Sequence, residues 1–221
     1  MFLIFVKEIL RGKSLSRVLV NLKLKKAGIA LSGKALDLGG SQASYLRFLN
    51  TKEAEIMRLN ADKASQPDIT LDLEKERLPF VDESIDNILC FNILEHIFNY
   101  QFLASEIFRV LKPGGRVYGS APFLNRFHPD PDDFFRFSPS ALQRIFNRAG
   151  FSKIKIVFIG YGPLTASYNQ EQALLPAKMI FTLLLRLCLA FWVIVLDKLF
   201  LRIKPSYKEK FALAYFFILE K

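Results

Sequence analysis

The sequence predicts an α/β fold, a doubly wound and mostly parallel sheet with helices on both faces, and three observations carry that expectation. From Lys34 onward, short apolar runs alternate with stretches of helical periodicity, the order that winds strand, helix and strand into one sheet. The turn Lys112-Pro113-Gly114-Gly115 separates a helical stretch from an apolar one, where Pro and Gly commonly end a helix. The last apolar run, Phe211 to Leu219, follows the polar turn Lys204 to Lys210 and reads as a closing strand.

Taken in order, residues 1–33 precede the alternating pattern. Six apolar residues stand before Lys7, with positive charges after them, the reverse of a secretory leader. Two short amphipathic helices are expected instead. Leu15, Val18, Leu19 and Leu22 recur at helical spacing, and Lys13, Arg17, Lys23, Lys25 and Lys26 supply a basic face. Such helices either lie on anionic membrane or pack on the domain.

The expected domain is 34–221. Its strands are Ala35 to Leu38, Glu55 to Asn60, Asp68 to Leu71, Ile85 to Phe91, Arg116 to Ser120, Ile154 to Ile159 and Phe211 to Leu219, with helices at Ser41 to Phe48, Tyr100 to Leu111 and Ser138 to Ala149. A hydrophobic helical insertion occupies 172–204. Within it Met179 to Leu196 carries a single charge, Arg186, and is long enough to be a transmembrane candidate. A single crossing conflicts with a closing strand that returns to the sheet. The remaining options are an interfacial helix, a re-entrant hairpin with Asp197 to Ile203, or a helix packed on the domain or a partner chain. Arg186 and Asp197 fall on nearly one helix face and leave the rest of the circumference apolar. That balance favours the membrane surface.

Composition narrows the class. A chain of 221 residues, 51% hydrophobic with 22 Phe, has enough apolar material for one sizeable core and is neither disordered nor low-complexity. Two cysteines, Cys90 and Cys188, argue against a disulfide framework or a cysteine zinc site and suggest a reducing compartment. The net charge of +10 is uneven. Residues 1–34 hold eight Lys or Arg against one Glu, residues 35–172 hold fifteen against seventeen acids, and residues 173–221 hold eight against three. The centre is near neutral and the ends are basic.

The leading candidate site is Asp37-Leu38-Gly39-Gly40-Ser41-Gln42-Ala43, between the first strand and the first helix. An acid two residues before a glycine, followed by small residues, sets backbone N–H groups and a helix start beside a ligand. Ser41 and Ser44 stand where a dinucleotide fingerprint needs glycine, and the Gly-Lys-Ser/Thr of a phosphate-binding loop is absent.

Three further segments complete a pattern: Leu78 to Ile97 (LPFVDESIDNILCFNILEHI), Arg109 to Phe123 (RVLKPGGRVYGSAPF) and His128 to Phe151. In order and spacing they resemble the class I S-adenosylmethionine-dependent methyltransferases, closest to the bacterial type 11-like group, over roughly residues 34–160. The resemblance implies a Rossmann-like seven-stranded sheet with an antiparallel last strand, and S-adenosyl-L-methionine as cofactor. It implies that Asp37, Gly39, Gly40 and Ser41 hold the methionine part, with the family's second and third motif glycines replaced by Ser41 and Ala43. It also implies that Asn60 or Asp62 receives the ribose hydroxyls, that Asp72 and Leu73 take the adenine, and that Asn92 lies where the methyl group faces the acceptor. The competing reading of Asp72 is a strand-end cap.

On the acceptor side, His128 is the candidate base or acceptor binder, and His96 reads as a packing and hydrogen-bonding residue. The aspartates Asp130, Asp132 and Asp133 beside His128 raise the question of a metal. Oxygen ligands crowded on one loop are more simply a solvated turn, so no metal is expected. Of Phe134, Phe135 and Phe137, at least one is expected to anchor the loop to the core. The functional expectation is methyl transfer to a small-molecule, lipid or glycan-type acceptor at the cytoplasmic membrane surface. The protein would be peripheral on the inner face of the plasma membrane, in contact through 1–33 and 179–203. The alternatives are an inactive, membrane-associated binding module of this fold and a nucleic-acid methyltransferase. The basic residues sit beside apolar helices without a stripe of stacking aromatics, which argues against nucleic acid.

Overall fold

The structure, a computed structural model, describes residues 1–40, 45–177 and 179–221. Its elements in chain order are α1 (Phe2–Leu10), α2 (Leu15–Ala27), β1 (Ala30–Leu38), β2 (Asn50–Asn60), β3 (Ile69–Thr70), β4 (Ile85–Phe91), α3 (Tyr100–Val110), β5 (Leu111–Pro122), α4 (Pro139–Ala149), β6 (Lys153–Ile159), α5 (Pro163–Glu171), α6 (Ile180–Ile203), α7 (Tyr207–Lys210) and β7 (Ala214–Glu220). The strands form a seven-stranded sheet of order β3-β2-β1-β4-β5-β7-β6. The β1–β2, β1–β4, β2–β3 and β4–β5 pairs are parallel, whereas β7 runs antiparallel to both β5 and β6. Gly114 N–H donates to the Lys221 carbonyl at 2.9 Å and Lys221 N–H returns to Gly115 at 3.2 Å, tying the start of β5 to the end of the chain. The antiparallel closing strand is as expected.

Chain contacts divide the protein into two compact units. The first comprises residues 28–122, 127–157 and 216–221. Its central strands are apolar because both faces are covered: Ala35, Leu36 and Leu38 of β1, Ile85 and Ile88 to Phe91 of β4, and Val117, Tyr118 and Ala121 of β5 are all buried. Strand order reverses between β1 and β4, and in such sheets ligands bind in the crevice beyond the carboxyl ends at that reversal. The α4 helix is bounded by its sequence. Ser138 Oγ accepts the Ala141 N–H at 3.2 Å, Pro139 opens the first turn, and Gly150 ends the helix at φ +113°.

Arg109, near the end of α3, ties the loop between β3 and β4 to that helix. Its guanidinium donates to the Leu78 carbonyl at 3.0 Å and the Phe80 carbonyl at 2.8 Å. It also pairs with Asp82 at 2.7 Å and Glu106 at 2.6 Å. Glu106 in turn accepts the Leu78 N–H at 3.0 Å, and the hydrogen bond from Arg109 is the main cause holding its carboxyl below the usual range. The residues that carry the LPF and RVLK resemblance are in large part a structural clamp.

The second unit comprises residues 1–27, 123–126 and 158–215. The two amino-terminal helices form as expected. The first amides of α2 are satisfied from other elements: Leu15 N–H donates to Gln172 Oε1 at 2.9 Å and Ser16 N–H to Asn169 Oδ1 at 3.0 Å. In the 24-residue α6, Arg186 and Asp197 are both buried on one face. Asp197 caps α5 by accepting from Leu164 N–H at 3.2 Å, Thr165 N–H at 2.6 Å and the Thr165 hydroxyl at 2.5 Å. Arg186 donates to Gln172 Oε1 at 3.2 Å, and Tyr168 donates its hydroxyl to the Arg186 carbonyl at 2.8 Å. The opposite face is open, with Phe181, Leu184, Cys188 and Trp192 exposed.

Three local expectations change. The helix expected over Ser41 to Phe48 lies partly outside the described residues, and its described part is a 3₁₀ turn at Leu46–Phe48. Lys112 to Gly115 is an irregularity inside β5, where Ile85 pairs with Leu111 but Asn87 with Arg116. Asp197 to Ile203 continues α6 without a break, so the re-entrant hairpin is not formed. No proline or glycine interrupts that stretch, and Asp197 spends its charge on α5 rather than breaking its own helix.

Candidate functional site

The carboxyl ends of β1, β2 and β4 gather most of the residues that the sequence marks. Asp37, the penultimate residue of β1, has 0% of its surface exposed. Its Oδ1 accepts from the Tyr45 hydroxyl, and Oδ2 has no hydrogen-bond partner among the described residues. Burial pushes this carboxyl up to about 7, against smaller downward pulls from the Tyr45 hydrogen bond and the charge of Arg58. A buried oxygen without a donor is a costly arrangement.

The glycines keep the approach to that oxygen open. Gly39 adopts φ +66°, and a Cβ there would run into the Ile93 side chain. A Cβ at Gly40 would fall 2.6 Å from Asp37 Oδ2, filling the space that faces the carboxylate. The loop is pinned by the Gly39 N–H donating to the Leu59 carbonyl at 2.7 Å and by Asn60 Nδ2 donating to the Gly39 carbonyl at 3.2 Å. Ser41, also marked by the sequence, lies outside the described residues, as do Gln42, Ala43 and Ser44.

Of the two residues left open at the end of β2, Asn60 is beside Gly39. Asp62 is exposed and caps the following turn by accepting the Ala64 N–H at 2.8 Å. Asp72 accepts from the Glu74 N–H at 3.0 Å and pairs with Lys75 at 2.9 Å, which together hold its carboxyl below the usual range. Those contacts are local caps. Leu73 is buried next to it. Asn92 follows β4 at φ +56°. It receives the Ser120 hydroxyl on Oδ1 at 2.6 Å, and its N–H donates to the Ser120 carbonyl at 2.8 Å.

A second group forms where the loop after β5 folds onto the turn after β4. Phe134 N–H donates to the Glu95 carbonyl at 2.8 Å, and His96 Nδ1 lies 2.5 Å from the Asp132 carbonyl. His128 N–H donates to Asp133 Oδ2 at 2.8 Å, and its ring meets the His96 ring edge-on at 5.3 Å. Asp133 is clamped by Arg136, whose hydrogen bonds hold the carboxyl down to about 2. Phe137 is buried and Phe134 exposed, so the loop is anchored by part of its aromatic run, as expected. His96 is a packing and hydrogen-bonding residue in this arrangement.

Sequence reasoning gives no role to Tyr45, Glu95 or Arg136. Tyr45 follows Asp37 by eight residues and gives no motif. Glu95 was in view within the L-E-H segment, but its complete burial was not.

The sheet order, the antiparallel last strand and an acid-x-Gly-Gly turn at the reversal define the fold of class I methyltransferases. Residues 34–119 match the model of the family described as a methyltransferase domain. A curated relative, a probable S-adenosylmethionine-dependent methyltransferase of Mycolicibacterium smegmatis, is 40% identical over 55 residues, which is 25% of this chain and 21% of the relative. The match therefore spans about a fifth of that protein. Among solved structures, a SAM-dependent methyltransferase from Archaeoglobus fulgidus superposes with a TM-score of 0.63 at 16% identity, covering 97% of each chain. A Haemonchus contortus phosphoethanolamine N-methyltransferase, solved with phosphomonomethylethanolamine and S-adenosylhomocysteine, gives 0.56 at 16% identity over 91% of this chain and 52% of its own. Sequence segment and fold thus agree with the class I resemblance.

Proposed function

We propose that the chain transfers a methyl group from S-adenosylmethionine to a lipid, lipid-linked glycan or other small acceptor at a membrane surface. The observation that carries the cofactor half is Asp37 Oδ2: a buried carboxylate oxygen lacking a donor, faced by Gly40, at the strand-order reversal. The site suits a cationic amino group, which would supply the missing donor. When bound, the sulfonium cofactor supplies an activated methyl group.

The protein's part is alignment. Gly39 and Gly40 let the backbone approach, Asn60 faces the ribose from the end of β2 with Asp62 beyond it, and Asp72 and Leu73 flank the adenine. Asn92, fixed by Ser120, borders the methyl-transfer position. His128 stands on the acceptor side. His128→Ala is expected to leave calorimetric cofactor binding within twofold and to lower turnover by at least about tenfold. The assay follows labelled methyl groups from the cofactor into membrane-lipid and lipid-linked glycan extracts. Label confined to nucleic acid, or turnover unaffected by the substitution, would reject this reading.

The membrane half rests on α6. Its two inner charges are spent on α5 and the turn after it, and its outer face presents Phe181, Leu184 and Trp192 to solvent. Lys25 and Lys26, at the end of α2, are exposed cations, and Phe2 and Leu3 of α1 are exposed apolar residues. Apolar surface with nearby cations suits the interface of an anionic bilayer. Flotation with anionic vesicles is expected to carry the wild-type protein. Combined Phe181→Gln, Leu184→Gln and Trp192→Gln, all at exposed positions, should reduce the floated fraction at least about fivefold without altering the melting temperature. Equal flotation of that variant would remove α6 from the contact.

A further inference from the structure

We propose that Glu95, His96 and His128 form a binding site for one divalent transition-metal ion. One ligand atom from each lies within 4.8 Å of the others. His96 Nε2 is 3.7 Å from Glu95 Oε1 and His128 Nε2 is 3.9 Å from the same oxygen. Both separations are too long for hydrogen bonds. They are close to the roughly 3.0 to 3.4 Å that separates ligand atoms each about 2.1 Å from one ion. A contraction of about half an ångström would bring both nitrogens to that separation from Glu95 Oε1.

The second nitrogen of His96 is held in the way a metal-binding histidine needs. His96 Nδ1 sits 2.5 Å from the Asp132 carbonyl, a contact that requires Nδ1 to carry the proton and leaves Nε2 as the lone-pair nitrogen. His128 Nδ1 has Asp133 Oδ2 at 3.4 Å and Arg136 Nη2 at 3.4 Å. Arg136 can only donate, so His128 Nδ1 accepts in that contact; an ion on Nε2 would move the ring proton to Nδ1 and direct it to Asp133. Carbonyl and carboxylate partners of this kind orient the ring and raise its basicity toward a metal. Arg136 adds a positive charge, and it is matched by its ion pair to Asp133.

Burial argues in the same direction. Glu95 is 0% exposed, the side chain of His96 13% and that of His128 35%. The carboxylate forms the floor and the His128 side stays open, so three protein ligands would leave positions for outside atoms. Two imidazoles and one carboxylate select ions of the zinc, cobalt or iron(II) type over magnesium or calcium. These ligands differ from the loop aspartates that the sequence suggested and set aside. Glu95 begins two residues after Ile93, whose side chain lies against Gly39, which puts the site beside the cofactor crevice. That the ion's open positions take an oxygen of the methyl acceptor rests on the function proposed above; the ion site itself does not.

The test uses full-length protein without a histidine tag, stripped with chelator and titrated with Co²⁺ by absorbance and with Zn²⁺ by calorimetry. One ion per chain is expected, with a dissociation constant in the micromolar range or tighter. Glu95→Gln, His96→Gln and His128→Gln should each weaken it at least tenfold, while Asp130→Asn and Asp132→Asn leave it within twofold. Circular dichroism and melting temperature confirm that each variant is folded. No binding by folded wild type, undiminished affinity in a variant of any of the three ligands, or loss in the loop-aspartate variants would overturn the site. Cofactor binding, measured separately through Asp37, tests the cofactor half of the proposed function independently of the ion.

Discussion

Asp37→Ala should weaken S-adenosylmethionine and S-adenosylhomocysteine binding in a calorimetric titration that the wild type passes in the micromolar range. A hydrogen bond to a charged group contributes about 1.5 to 3 kcal/mol, so the loss is roughly 10- to 150-fold in affinity. The pH dependence has a definite sign. Burial lifts the Asp37 carboxyl from 3.8 to about 7, so in the folded protein it is largely protonated below neutrality. Only the ionised form attracts an ammonium, and wild-type affinity should rise as pH increases from 6 to 8. Asp37→Asn should flatten that rise.

Stability moves the opposite way. A carboxyl with a raised folded-state pKa stabilises the fold most below its unfolded value of 3.8, and the contribution declines through the window up to about 7. At pH 8 the buried charge opposes folding by an amount on the order of 4 kcal/mol, and Asp37→Asn should be more stable there than wild type. On the function proposed above, this oxygen is maintained at the expense of the fold, as expected of a functional group rather than a core residue. Equal cofactor affinity in wild type and both variants would show that Asp37 belongs to the core alone.

Asp197→Ala should produce the largest loss of stability. The carboxylate is fully buried in α6 and accepts from two backbone amides and one hydroxyl at the start of α5. Gly162 lies so close that a Cβ there would fall 2.7 Å from Asp197 Oδ1. Removing the acceptor leaves an uncapped helix start and buried donors, with an expected cost of about 2 to 4 kcal/mol. Asp197→Asn retains one carbonyl oxygen and should lose less. Denaturant titration measures both, and a change under about 0.5 kcal/mol for the alanine variant, the size typical of ordinary surface positions, would remove Asp197 from the supports of α5.

Much of the fold was legible because the relevant physics is local. Short, largely apolar runs at Ile85 to Phe91 and Ile154 to Ile159 reproduced β4 and β6 to within a residue, and Ser138 with Gly150 marked both ends of α4. Arg186 and Asp197 could be placed on one face by helical spacing alone. What neighbours they would meet was not legible, since Gln172 and Thr165 belong to other elements. The site divides in the same way. Asp37 and Gly39 announce themselves at a strand end, but no motif signals that Tyr45 hydrogen-bonds Asp37. Glu95 and His128, separated by a helix and a strand, meet through a loop whose path no periodicity encodes. Asp72 shows the converse: its contacts with Glu74 and Lys75 were available from the sequence as a cap.

The two thiols make α6 accessible to chemistry in an unusually simple way. Cys90 is buried in β4, where desolvation first and the charges of Glu95 and Asp37 second push its thiol far above the ordinary range. Cys188 is exposed on the outer face of α6, between Leu184 and Trp192. An alkylating fluorophore therefore discriminates between them without engineering. The native chain carries a single-site polarity reporter on the apolar face of α6, and its emission colour tells lipid from water at that helix.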